Sequence, residues 1–263
     1  MRKEIIDIQN NILDRYYKNW RKLPWRETNN PYHIHISEIM LQQTQVDRVI
    51  PYYYKWIEDF SDYKTLANAS KLDLLTHWSW LWFNSRALRL QECAKIITDT
   101  YNWELQQDRD FLMKLPGVWP YTSAAIMAFS WNLEVPVIDT NIRRVLIFLF
   151  KLPESISLKE LEKFAINIIP PNKSRDWHNA LMDYGASVLT ANKTKIKSLG
   201  KQSKFEGSDR EVRGWIIKNL TKEQSLNKQK IEDFFPKKDI ENILSTMRKE
   251  NLIIEKNDII YLE

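Results

Sequence analysis

Residues 115–126 read Leu115-Pro-Gly-Val-Trp-Pro-Tyr-Thr-Ser-Ala-Ala-Ile126 and predict two helices joined by a tight turn. Gly117 permits the sharp turn, and Pro120 suits the first turn of the second helix. Free backbone N–H groups at the start of such a helix, together with the helix dipole, favour a phosphate oxygen. We therefore expect this hairpin, through Gly117 and Thr122, to hold a DNA backbone without reading its sequence.

Helical periodicity extends outward from the hairpin over most of residues 4–189. Apolar residues recur there at spacings of three and four, whereas strand alternation is hard to find. The clearest helical segments are residues 5–17, 36–50, 87–101, 122–130, 142–151 and 158–169. Short polar or proline-bearing joints at residues 28–31, 116–120 and 170–173 separate the helices. We expect an all-α domain over residues 1–190.

The periodicity stops at residues 191–207, where lysine, serine and glycine predominate and predict a basic linker. A second unit is predicted over residues 208–263, with helices at 209–220, 228–234 and 238–250. Two apolar segments, 252–255 and 259–262, follow and are joined by Lys256-Asn257-Asp258. This order resembles a small winged-helix-like α+β unit, which suits DNA contact and protein interaction equally well.

Composition restricts the classes of protein to consider. The 263 residues carry a net charge of +5 with a mean hydropathy of −0.49, and no apolar stretch approaches the ~20 residues of a membrane span. The N-terminus lacks a signal-peptide core, so we expect a cytoplasmic, nucleoid-associated protein with no membrane contact. The single cysteine, Cys93, can form neither an internal disulfide nor a four-thiolate iron–sulfur cluster, and we expect no cofactor.

Positive charge is concentrated in the linker. Residues 191–205 contain five lysines and no acid, which equals the net charge of the whole chain. Such a strip suits a polyanion, although solvated surface charge gives the same balance. The lysines that we expect to contact DNA phosphates are Lys193, Lys195, Lys197, Lys201 and Lys204.

A second motif gives the hairpin its context. Val137-Ile-Asp-Thr-Asn141 places an aspartate eighteen residues after Tyr121, and the combined pattern resembles the HhH-GPD superfamily of DNA glycosylases. Asp139 could simply cap the helix that follows. The resemblance implies instead that Asp139 faces C1′ of an extruded nucleotide and stabilises the cationic sugar. It also implies DNA contacts from Asn141 and Arg143.

Two upstream motifs resemble the MutY family of adenine glycosylases. They are Leu23-Pro-Trp-Arg26 and Ser37-Glu-Ile-Met-Leu-Gln-Gln-Thr-Gln-Val46. Glu38 could be an ordinary exposed helical acid. The resemblance implies that it lies in the base pocket with Trp25 and Arg26 and protonates the purine, which requires a carboxyl whose pKa is raised by burial.

The same resemblance suggests roles for four further residues. Gln43 matches a residue that wedges into the base stack, and Gln42 lines the same turn, which offsets part of the cost of base extrusion. Tyr121 stands where bifunctional relatives carry a nucleophilic lysine, which implies hydrolysis by water. Asp183 falls where the family often has a second acid near the adenine, although a structural helix acid fits equally.

The chain departs from the MutY pattern in three respects. Leu189, Ile196 and Leu199 stand about where three cluster cysteines would be, and no Nudix-like C-terminal domain is recognisable. Tryptophan also occupies positions where the family has glycine, at Trp80, Trp82 and Trp119, with similar contexts at Trp20 and Trp103. Ordinary divergence could place these tryptophans. We instead predict that several are glycines, in an organism that reads UGA as glycine.

These patterns lead to one main hypothesis: a monomeric, monofunctional glycosylase that acts on double-stranded DNA carrying a mismatch or an oxidised base. Glu38 is the acid, Asp139 stabilises the sugar cation, and the base removed is adenine opposite G or 8-oxoguanine. A thymine or uracil mismatch glycosylase is the alternative enzyme, because those relatives share the same three residue types. A non-catalytic winged-helix regulator is the alternative outside the enzymes.

Overall fold

The computed structural model describes residues 2–81, 83–101, 104–200 and 204–263. The predicted fold class, an all-α domain with a small α+β unit at the C-terminal end, is confirmed. The helices are α1 (Arg2–Asn19), α2 (Pro31–Leu41), α3 (Val46–Asp59), α4 (Tyr63–Asn68), α5 (Lys71–Trp78), α6 (Ser85–Thr100), α7 (Arg109–Lys114), α8 (Pro120–Trp131), α9 (Thr140–Leu149), α10 (Leu158–Ile166), α11 (Ser174–Ser187), α12 (Ala191–Thr194), α13 (Asp209–Glu223), α14 (Lys228–Phe234) and α15 (Ile240–Lys249). A 3₁₀ turn covers Pro24–Arg26, and the strands are β1 (Ser225–Asn227), β2 (Ile253–Lys256) and β3 (Ile259–Leu262).

The chain forms two compact units, each assembled from two separate stretches of sequence. The first contains Met1–Ile39 and Leu105–Lys201, and the second contains Met40–Glu104 and Gln202–Glu263. These units are defined by packing and do not follow sequence order. The boundaries at residues 190 and 207 therefore stay a prediction about segments of the sequence.

The core of the first unit joins the N-terminal helix to helices far along the chain. Ile12 and Leu13 of α1 pack with Val145 and Leu146 of α9 and with Trp177 of α11. Amphipathic spacing explains this arrangement, since each helix buries one apolar stripe. The cluster holds the start of α9, and hence Asp139, against α11.

The C-terminal segment lies in the second unit. Its elements follow the order of a winged helix, and β3 pairs antiparallel with both β1 and β2 in a three-stranded sheet. Val212, Ile216 and Leu220 of α13 share a core with Leu75 of α5. The segment is therefore packed against helical elements of its own unit. No helix of the described ranges is long and apolar enough to span a membrane.

One predicted helix is wrong. The periodicity at residues 36–50 predicts a single helix, but α2 ends at Leu41 and α3 begins at Val46. Gln43 adopts a left-handed backbone with φ of 58°, and Gln45 is extended as the N-cap of α3. The break carries no glycine or proline signal, which is why the pattern conceals it. It leaves the side chain of Gln43 exposed in a turn.

The structure corrects one reason for expecting glycine at the unusual tryptophans. A left-handed backbone would favour glycine, yet Trp119 has φ of −99°, and Trp80 is not among the described residues with positive φ. Trp82 and Trp103 lie outside the described residues. Any case for glycine at Trp80 and Trp119 therefore has to rest on something other than backbone strain.

Candidate active site

The hairpin has the predicted geometry. Helix α7 ends at Lys114, the Val118 N–H donates to the Leu115 carbonyl at 3.1 Å, and α8 begins at Pro120. Gly117 has φ of 78°, a conformation that side chains rarely adopt, so glycine is required at this position. Trp119 is the N-cap of α8 but makes no side-chain cap bond. The first N–H groups of α8 are thus left without a side-chain cap, as an anion-binding hairpin requires.

Glu38 lies on the inner face of α2, and only 6% of it is exposed. Burial disfavours the ionised carboxylate and raises its pKa from 4.5 to about 7. The Asp139 carboxylate raises the pKa further, whereas a hydrogen bond from Tyr121 and the charge of Arg26 lower it. A carboxyl of this kind can hold or release a proton near neutral pH.

Tyr121 stands in the first turn of α8, beyond the hairpin, and its hydroxyl donates a hydrogen bond to the Glu38 carboxylate. Burial raises the pKa of the phenol well above its ordinary value, and the nearby carboxyls of Glu38 and Asp139 raise it further. The phenol therefore stays protonated and serves as a donor. The residue is half-buried, with no amine that could attack a sugar.

Asp139 caps helix α9. Its Oδ1 accepts a hydrogen bond from the Ile142 N–H at 2.6 Å, so the capping interpretation is correct as a description of the structure. Burial raises the pKa of Asp139, while hydrogen bonds from the Ile142 and Asn141 amides oppose that rise. Capping does not exclude chemistry, because the same bond fixes the carboxylate beside Glu38 and Tyr121.

Helix α11 fixes the approach to Asp139 by two contacts. The Val137 N–H donates to Nε2 of His178 at 3.1 Å, and Nδ1 of His178 bonds to the Ser174 carbonyl at 2.7 Å. Burial lowers the pKa of His178 to about 4, so the ring stays neutral and Nε2 remains an acceptor. The sequence analysis missed this residue, because nothing local indicates its partner 41 residues away.

The second contact depends on the absence of a side chain. A Cβ added to Gly185 of α11 would lie 2.5 Å from Oδ1 of Asn141. The Asn141 amide donates to the Met182 carbonyl at 3.1 Å and its Oδ1 accepts from Arg144. Close packing of α11 on the start of α9 thus requires glycine. Gly185 was also missed, since its backbone alone gives no signal.

The predicted base-pocket residues form an ion-paired cluster. Arg26 makes a bidentate pair with Asp183, at 2.9 and 3.0 Å, and Nε of Arg21 reaches the same carboxylate at 2.5 Å. Burial would raise the pKa of Asp183, but the bonds and charges of Arg26 and Arg21 lower it below its ordinary value. Trp25 is 6% exposed in the adjoining 3₁₀ turn. Asp183 therefore orients Arg26, whose charge is felt at Glu38.

A model of the family described as "HhH-GPD superfamily base excision DNA repair protein" matches residues 36–171, which is more than half of the chain. The chain belongs to this superfamily. Its matched region contains the hairpin, Glu38, Tyr121 and Asp139. The resemblance inferred from the sequence motifs is thereby confirmed.

Relatives within the superfamily include adenine DNA glycosylases. The protein of that name from Mycolicibacterium smegmatis is 33% identical over 227 residues, 78% of each chain. The one from Buchnera aphidicola subsp. Baizongia pistaciae is 38% identical over 189 residues, which are 70% of this chain but 53% of the relative. Among solved structures, a thermostable thymine-DNA glycosylase matches with a TM-score of 0.69 and 28% identity, covering 73% of this chain and 90% of that one.

The residues present do not fit the iron–sulfur cluster of MutY-like members of the superfamily. Such a cluster takes four thiolates, and Cys93 is the one cysteine of the chain. It is buried in α6, in the second unit, where burial raises its pKa to about 12. Leu189, at one of the positions expected for a ligand, is 8% exposed in the first unit's core.

The residues predicted to bind DNA differ in accessibility. Gln43 is exposed and Gln42 half-exposed in the turn between α2 and α3. Thr122 is 1% exposed and Arg143 5%, with the Arg143 guanidinium donating to the carbonyls of Lys197 and Glu154. Their side chains face protein, as does that of Asn141. These contacts disfavour the three predicted side-chain contacts to DNA.

Proposed function

We propose that this chain is a monofunctional DNA glycosylase that removes mispaired adenine by hydrolysing its N-glycosidic bond. The observation that carries the proposal is the buried Glu38 carboxyl, with a pKa of about 7, hydrogen-bonded to Tyr121 and beside Asp139. The adenine DNA glycosylases among its relatives, at 33% and 38% identity, support adenine as the base.

The three groups divide the chemistry. Protonated Glu38 donates to a ring nitrogen of the purine, which converts a poor leaving group into a good one. The sugar is left with positive charge, which the Asp139 carboxylate stabilises before water completes the reaction. The amides that cap Asp139 favour its ionised form, whereas burial keeps Glu38 protonated near neutral pH. Two carboxyls in different environments thus take different roles.

Exposed lysines provide a proposed contact to the DNA backbone. Lys193, Lys195 and Lys197 are all exposed, as is Lys204. Lys201 lies outside the described residues. We expect these lysines to bind phosphates irrespective of sequence, and each lost contact should lower the slope of log K against log salt by about 0.9.

A thymine or uracil mismatch glycosylase is the second candidate, and the similarity to the thermostable thymine-DNA glycosylase favours it. The same acid and aspartate would serve a pyrimidine. One substrate panel separates the two candidates: labelled duplexes with A opposite 8-oxoguanine, A·G, T·G and U·G, followed by alkaline cleavage of abasic sites. Excision of adenine alone supports the proposal, whereas excision of thymine or uracil supports the second candidate.

Two variants test the mechanism. Asp139→Asn keeps the size and loses the charge, so excision should slow while duplex binding is retained. Borohydride should trap no covalent complex with the unaltered protein, because Tyr121 replaces the lysine of bifunctional relatives. A trapped complex would mean that another amine attacks the sugar. No excision of any duplex would leave the winged-helix regulator as the better explanation.

A further inference from the structure

Helix α13, the first helix of the C-terminal segment, carries a cationic stripe. Arg210, Gly214, Lys218 and Lys222 are spaced four residues apart and therefore lie on one face of the helix. Lys218 and Lys222 are exposed, and neither has an acidic partner among the described residues. The Arg210 guanidinium lies 5.2 Å from the centre of the Phe83 ring.

The acids of the same helix are engaged away from this stripe. Asp209 pairs with Lys238 at 2.8 Å, and Glu223 pairs with Lys230 at 3.0 Å. Glu211 accepts a hydrogen bond from the Gly207 N–H at 2.6 Å. The helix thus separates its charges, and the stripe keeps a net positive potential that suits an anionic surface.

The face that a winged helix would ordinarily turn to DNA has the opposite character. Helix α15 occupies the position of the recognition helix, which in helix-turn-helix proteins enters the major groove. Its Arg248 is paired with Glu241 of the same helix and with Glu255 of β2. Lys228 also pairs with Glu241, at 2.6 Å. Acids therefore neutralise the cations that would meet phosphates on this face.

The stripe adjoins other DNA-directed elements of the second unit. The Lys218 ammonium lies 5.2 Å from the centre of the Trp80 ring, and the Trp80 carbonyl accepts from Arg48 at 2.6 Å. Arg86 donates to the carbonyls of Gln42 and Leu81, each at 2.7 Å. These bonds connect the turn that holds Gln43, the loop after α5 and helix α13.

We propose that the C-terminal segment binds the phosphate backbone of duplex DNA through the α13 stripe, and not through α15 and the wing. The inference rests on the proposed function only in taking duplex DNA as the partner. Charge complementarity and the link to the Gln43 turn both favour this occupant over a protein partner. Because the contacts are to phosphates, they should strengthen binding to all sequences alike.

The test compares two charge-matched variants of the full chain. Lys218→Gln with Lys222→Gln removes two stripe charges, and Lys249→Gln with Lys256→Gln removes two exposed charges from α15 and the wing. Binding of a labelled duplex is followed by fluorescence anisotropy over a salt series. The stripe variant should lower the slope of log K against log salt by about 1.8, or up to about eightfold in affinity per contact at 0.1 M salt. The control should retain the original slope.

Three other results would overturn the inference. If the control variant loses the slope and the stripe variant keeps it, the segment binds DNA as an ordinary winged helix. If neither variant changes the slope while the unaltered protein binds and excises, the segment does not contact DNA and the proposed function stands. If the unaltered protein neither binds nor excises any duplex, the proposed function fails as well.

Discussion

Replacing Glu38 by glutamine tests the central claim about the site, because the variant keeps the size of the side chain and removes its proton. An ordinary glutamate with a pKa of 4.5 would be protonated in about 0.3% of molecules at pH 7. With a pKa of about 7, half of the Glu38 carboxyls are protonated. Burial therefore raises the concentration of the acid form about 150-fold at this pH.

The pH dependence follows from that proton. In the unaltered protein kcat/KM should be nearly constant well below pH 7 and fall about tenfold per pH unit above it, since kcat/KM reports the free enzyme. Glu38→Gln should lose excision by about 10²–10⁴ at pH 7 and lose the alkaline decline with it. The measurement is excision of adenine from a labelled duplex between pH 5.5 and 9, with duplex binding measured at each pH.

The same variant gives a second, independent measurement in the free energy of unfolding. The folded pKa of about 7 lies above the unfolded value of about 4.5, so the folded state binds more protons between these values and loses stability as pH rises through them. The loss is complete above pH 7 and amounts to about 3 kcal/mol. Glu38→Gln should thus be more stable than the unaltered protein at pH 8 and equally stable at pH 4. Equal stability at pH 8, with the alkaline decline retained, would refute the reasoning.

The supports of Asp139 give two further predictions. Gly185→Ala places a methyl group 2.5 Å from Oδ1 of Asn141 and should destabilise the fold by about 1–3 kcal/mol while reducing excision, whereas Gly200→Ala, with nothing within 4 Å, should leave both unchanged. A thermally normal Gly185→Ala variant would contradict the packing argument. His178→Leu leaves the Val137 N–H without its acceptor and should cost about 1–3 kcal/mol, with faster hydrogen exchange of that amide. His178→Gln retains an acceptor, and its failure to restore protection would count against the proposed support.

The parts of the site that could be predicted from sequence are those fixed by neighbouring residues. The hairpin follows from Gly117 and Pro120, whose backbone requirements are local, and it formed as predicted. Asp139 as a helix cap was likewise readable from the residues that follow it. Glu38 was identified by its motif, but its raised pKa depends on burial, which only the packed structure supplies.

The parts that were missed depend on distant partners or on a subtle backbone change. His178 acts on Val137 across 41 residues, and strand β1, three residues long, exists because it pairs with β3. Neither segment has a periodicity of its own. The break at Gln43 interrupts an unbroken apolar pattern without glycine or proline, so helical spacing predicted one helix where there are two.

Exposure now provides the argument about the unusual tryptophans that backbone strain does not. Trp20, Trp80 and Trp119 are 36%, 48% and 62% exposed, and they stand in glycine-like contexts; Trp56 and Trp78, outside those contexts, are fully buried. Tryptophan is highly buried on average, so exposure confined to these contexts is what glycine positions translated as tryptophan would produce. At residue 80, glycine would also uncover the Lys218 ammonium, while the Arg48 bond to the backbone carbonyl would remain. Codons decide the matter: UGA at Trp80 and Trp119 with UGG at Trp56 and Trp78 supports glycine, and UGG at all four shows true tryptophan.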